Sequence, residues 1–81
     1  MRITLRQTDT LYEYDVLLDG HIAFEGLRAT GAVAALAVAR RAWCRALSTH
    51  VHAVPRWLQL LHDHNVAYAA ADADNAARQE P

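Results

Sequence analysis

Four of the five histidines fall into two His-x-His pairs, His50-Val51-His52 and His62-Asp63-His64, and imidazole beside carboxylate is the ligand chemistry of zinc and related metals. The spacing argues against a shared ion. Side chains two positions apart on a helix diverge by roughly 200°, so His62 and His64 reach one metal only if the helix has ended before them. The plainer expectation is that His62 and His64 sit at a helix C-terminus, where the dipole favours cations, while His50 and His52 lie in a polar loop. No metal and no other cofactor is expected.

Catalysis finds no better footing. Ser48 and Thr49 precede His50, but a nucleophile and its base must meet in space and be oriented by a third group, which sequence adjacency does not supply. The single cysteine, Cys44, lies in an alanine-rich stretch with nothing nearby to activate it, and reads as a small buried hydrophobe. Gly20, Gly26 and Gly31 are scattered singly, so there is no glycine-rich phosphate loop. No catalytic residue is nominated, and the chain reads as non-enzymatic.

What remains is arginine and tryptophan, side chains that dominate recognition surfaces. The candidate partner-binding residues are Arg40, Arg41, Arg45, Arg56 and Trp57. Trp57 also fits a core position, at helical spacing from Leu60 and Leu61. Arg40 falls inside an otherwise apolar arc between Leu36, Trp43 and Leu47. Its stem could cover apolar surface with the head in solvent, it could pair with a sheet carboxylate, or it could belong to a binding surface with Arg41 and Arg45. A net charge of -1 and the acids Glu13, Asp15, Asp19 and Glu25 oppose a broad nucleic-acid face, so direct nucleic-acid binding is not favoured.

These residues need a scaffold, and 81 residues suffice for one domain that buries roughly 60% of its unfolded surface. The apolar share is 53% but only 7% is aromatic, so the core must come from close backbone approach. Residues 2–7 alternate, with Ile3 and Leu5 on one face. Residues 12–18 alternate again, with Tyr12, Tyr14, Val16 and Leu18 on one face, and Ile22 and Phe24 mark a third strand. Asp19-Gly20 is a hairpin signal. A two-residue loop would throw Ile22 and Phe24 onto the face opposite Tyr14 and Val16, whereas a three-residue Leu18–Gly20 loop with a bulge pairs Val16 with Ile22 and Tyr14 with Phe24. The bulged turn is therefore expected. A four-residue Thr8–Leu11 loop would align Leu5 with Tyr14 and Arg6 with Glu13.

Thr30 suits an N-cap for a helix over about residues 31–47, whose seven alanines supply propensity and whose wide apolar arc, Val33, Leu36, Ala37, Trp43, Cys44 and Leu47 with the small residues Ala32 and Ala39, is expected to face the sheet. Pro55 fits the first turn of a short second helix over about 55–64, closed by Asn65. Val66-Ala67-Tyr68-Ala69 fits a fourth strand, within residues 66–71, or a further helix, the strand being preferred. From residue 71 the large apolar groups vanish, and 71–81 reads as a frayed helix or disordered tail behind a compact domain of residues 1–70. The fold class is α+β, a three-stranded antiparallel meander with a helix packed on it and a second short helix. Residues 1–7 make no signal peptide and no apolar run reaches the ~18 residues that span a bilayer, so no membrane contact and a cytoplasmic location are expected.

Two stretches resemble known families. Residues 47–58, Leu-Ser-Thr-His-Val-His-Ala-Val-Pro-Arg-Trp-Leu, resemble the turn and recognition helix of helix-turn-helix DNA-binding proteins, with Pro55 and Ser48 departing from that pattern. Over residues 12–44, Tyr12-Glu13-Tyr14-Asp15-Val16, Asp19-Gly20 and the alanine-rich helix resemble the strand-turn-strand-helix order of small phage-encoded anti-CRISPR inhibitors. The second resemblance implies a protein partner, such as a CRISPR-Cas or other nucleoprotein effector whose working surface is occupied. The leading expectation is thus a non-enzymatic protein-interaction module of that inhibitor kind, able to form a homodimer through an open sheet edge. The alternative is a DNA-binding or transcription-regulating domain working through Arg56 and Trp57.

Overall fold

Asp19 and Gly20 both take left-handed backbone angles, φ 50° and 83°, which makes their turn the two-residue hairpin whose twist matches the flanking strands. The computed structural model describes residues 2–49 and 52–79, and builds from that turn β1 (Ile3–Gln7), β2 (Glu13–Leu18), β3 (His21–Arg28), α1 (Ala32–Thr49) and α2 (Ala53–Gln79). The three strands form one antiparallel sheet in the order β1-β2-β3, so the α+β meander expected from the sequence is the observed architecture.

The register differs from the expectation in an instructive way. Leu18 faces His21 across the two-residue turn, and Leu17 faces Ile22. Parity is then reset inside β3. One extra residue at Ala23 brings Phe24 opposite Val16, and a second, where Glu25 and Gly26 face Asp15, brings Leu27 opposite Tyr14. The bulges sit in the strand rather than in the turn. Tyr14, Val16, Phe24 and Leu27 therefore share the core face, while Ile22 lies with Leu17 on the other face, 41% exposed. Between β1 and β2, Leu5 faces Val16 and Arg6 faces Asp15. That is two residues from the expected pairing, so every side chain keeps its face.

Gly31, not Thr30, holds the cap position of α1: its carbonyl accepts the N–H of Ala35 at 2.9 Å. The face that α1 buries overlaps the expected arc only in part, at Ala39 and the half-buried Leu36 and Trp43. Ala35, Ala39 and Ala46 are buried, whereas Val33 is 87% and Leu47 57% exposed, and Cys44 is exposed as well. Trp57 is the reason. Fully buried, it donates its indole N–H to the carbonyl of Ala39 at 3.0 Å and meets Trp43 edge-on at 5.3 Å. Only small side chains on α1 leave room for an indole at that distance.

Pro55 lies in the first turn of α2, where its missing N–H costs nothing. The helix does not stop at Asn65, so the expected fourth strand is absent: residues 66–71 are helical, and His62 and His64 are mid-helix rather than at its end. Asn65 engages β3 instead of capping, and the alanine-rich segment beyond it carries the highest intrinsic helix propensity. Of the two expectations for the segment from residue 71, frayed helix or disordered tail, the helix is observed as far as Gln79, with an Asp74–Arg78 ion pair at 3.1 Å one turn apart. At about 1.5 Å per residue α2 is about 40 Å long, more than the sheet can cover. Among the described residues no helix is long and apolar enough to cross a membrane.

Candidate functional site

The two outer strands of the sheet are treated differently. Along β3, the carboxamide of Asn65 accepts the N–H of Arg28 and donates to the carbonyl of Gly26, both at 2.8 Å, and His64 Nε2 donates to the carbonyl of Arg28 at 2.7 Å. Side chains of α2 thus pair three backbone groups at the C-terminal end of that edge. Arg28 in turn lies over the ring of Tyr68 on α2, at 5.3 Å from its centroid.

Among the described residues no side chain covers the outer backbone groups of β1 in this way. Asp19 donates its N–H to the Arg2 carbonyl at 2.9 Å, and antiparallel alternation then directs Thr4 and Arg6 to β2 and the backbone groups of Ile3, Leu5 and Gln7 away from the sheet. A row of N–H and C=O groups at an outer strand is a template for another strand.

Beside this edge runs a groove whose other wall is α1. One stretch, of about 340 Å³, is lined by Ile3, Thr4, Leu5, Ala32, Val33, Leu36 and Arg40. The next, of about 420 Å³, is lined by Arg2, Ile3, Arg40, Trp43 and Cys44. Ile3 and Arg40 belong to both, which makes the two stretches continuous. Ala32, Val33, Leu36, Trp43 and Cys44, from the apolar arc read in the sequence, form the α1 wall of this groove. Alanines took the buried face of α1, so Val33 and Leu47 were left outside and Leu36 half-buried, with Arg40 among them. Arg2 and Arg40 give the groove positive charge, and no carboxylate lines it among the described residues. The Asp19 carboxylate, near one end, accepts the Arg2 backbone N–H at 2.8 Å.

The five candidates do not form one surface. Arg40 lies in the β1 groove. Arg41 and Arg45 lie in a separate cleft between the helices, with Val38, Ala42, Leu60 and His64. Arg56 is half-buried, its Nε enclosed without a hydrogen-bond partner, and Trp57 is inside the core, beyond reach of any partner. Of the three readings of Arg40, pairing with a sheet carboxylate does not occur: the sheet's ion pair is Arg6 with Asp15, at 2.7 Å on the other face. Cys44 is exposed rather than buried.

Among the described residues no three His, Cys, Asp or Glu side chains converge as metal ligands. His62 is exposed and His64 turns to Arg28, while His50 lies outside the described residues. Sequence reasoning missed Ile3, Leu5, Val33 and Asn65 as residues of interest. The signal for Val33 was present, since it lies on the arc that holds Arg40; that for Asn65 was not, because its partners are 37 and 39 positions away.

Compared with family models, curated proteins and solved structures, the chain matches none at a significant level.

Proposed function

We infer that this chain is a protein-interaction module whose docking surface is the groove between β1 and α1. One observation carries the reading: a bare strand edge and an outward apolar helix wall lie side by side, while on the opposite edge Asn65 and His64 already occupy backbone groups of Gly26 and Arg28. Isolated exposed apolar side chains are ordinary, but a lined groove beside unpaired backbone is a feature of binding surfaces. The resemblance of its strand-turn-strand-helix order to that of small anti-CRISPR inhibitors agrees with the same reading, with a nucleoprotein effector as the proposed class of partner. The regulator reading keeps less support. It relied on Arg56 and Trp57, and burial withdraws the indole.

The test is affinity capture from the native host by the wild type and by three folded variants, with the partners identified. Capture lost by Arg40→Glu and by Val33→Glu but kept by Arg41→Glu supports the groove. Capture unchanged in all three removes it. Salt-dependent binding to DNA, lost with Arg56→Ala, would favour the regulator reading instead.

A further inference from the structure

We propose that the groove receives an extended, acidic segment of a partner protein, which adds to the sheet as a fourth strand beside β1. The proposal rests on reading the chain as an interaction module and specifies the chemistry of its partner. Two observations carry it. The first is the backbone of Ile3, Leu5 and Gln7, which faces outward; a strand can satisfy those groups, whereas a helix has its own backbone already paired. Alternate side chains of an added strand would fall on the helix side, against Leu36 and Val33, and these positions call for apolar residues.

The second observation is charge. Arg40 lies at the middle of the groove and Arg2 at one end, α1 carries arginines and no acid, and no carboxylate lines the groove among the described residues. A partner carboxylate would meet a guanidinium that makes no ion pair within the described chain. The same arithmetic disfavours a second copy. Pairing β1 with β1 about Leu5 would bring two α1 helices together, each presenting Arg40 and neither presenting a carboxylate.

A display library of random peptides, selected on the whole chain and followed by affinity measurements on the winners, tests this. Selected peptides should carry Val, Ile or Leu at alternate positions, with an Asp or Glu replacing one member of that same helix-facing set, and lack proline in their centre. Arg40→Glu should weaken them by about tenfold or more, and Arg41→Glu by no more than about twofold. N-methylation of alternate backbone amides in the peptide should abolish binding. Peptides that depend on Val33 but are neutral or basic, or that tolerate N-methylation in both registers, overturn the acidic strand while leaving the groove as a docking surface. A library yielding no binder sensitive to Val33→Glu overturns both. A dimer in sedimentation that Val33→Glu dissociates assigns the groove to a second copy and overturns the acidic partner.

Discussion

The carboxamide of Asn65 stands against Arg28 as the peptide group of a neighbouring strand would, receiving its N–H at 2.8 Å while donating to the carbonyl two residues earlier. A helix side chain thereby pairs two backbone groups at the end of a sheet edge. Asn65→Ala leaves the Arg28 N–H half-buried and unpaired, and should cost about 1–3 kcal/mol by urea denaturation. Asn65→Asp should not rescue it, because a second carboxylate oxygen would face the Gly26 carbonyl. Wild-type stability in both variants would contradict this account of the edge.

The two faces of α1 should respond oppositely to added volume. Ala39→Leu intrudes on the Trp57 indole and should cost about 1–3 kcal/mol, whereas Val33→Leu, at 87% exposure, should change stability by no more than about 0.5 kcal/mol. Thermal or chemical melts of the pair decide it. The reverse ranking would contradict the burial of Ala39 against Trp57.

The buried face of α1 shows where legibility ends. Alternation located all three strands and the alanine-rich run located α1, because those signals are local. The even offset between expected and observed β1–β2 register left each side chain on its face. Which arc of α1 is buried depends on Trp57, 18 residues away from Ala39, and helix periodicity ranks large apolar residues above alanine when it assigns a core. Bulges at Ala23 and Gly26 are invisible for a similar reason: they repair a parity conflict that a looser turn would also have repaired. Asn65 was read as a helix terminator from its type alone, and its bonds to β3 are wholly tertiary. Of the candidate residues, Arg40 was legible as an oddity in an apolar arc, but that part of the arc forms an outer wall was not.

Gly26 takes φ 78° with open space around its Cα, so Gly26→Ala isolates backbone strain and should cost roughly 1–2 kcal/mol. Asp15 accepts the Gly26 N–H at 3.3 Å and the Arg6 guanidinium at 2.7 Å. Asp15→Ala should cost about 1–3 kcal/mol and Asp15→Asn less, since Asn keeps an oxygen for Gly26. Equal losses in the two Asp15 variants would show that charge, not the bulge contact, is what Asp15 supplies.

Residues 71–78 of α2 are exposed along their whole length. Deleting the chain from residue 71 onward should lower the helical circular-dichroism signal yet change unfolding free energy by no more than about 0.5 kcal/mol. A large loss would mean that the overhanging turns pack on the domain.

Gln7 directs its N–H away from β2, so proline is tolerated there by the sheet but not by an added strand. Gln7→Pro should fold, and should weaken any peptide or partner that pairs along β1. Full affinity in the folded variant would place the contact on α1 alone.

The most direct test of the docking surface is residue-resolved amide hydrogen exchange of the chain, free and with a selected groove-dependent peptide. The account predicts that the amides of Ile3, Leu5 and Gln7 exchange rapidly in the free protein and become protected on binding, while Thr4 and Arg6, already bonded to β2, change little. Amides of Ile3 and Leu5 protected in the free monomer, or unaltered by a bound peptide that instead protects the cleft around Arg41 and Arg45, would contradict it.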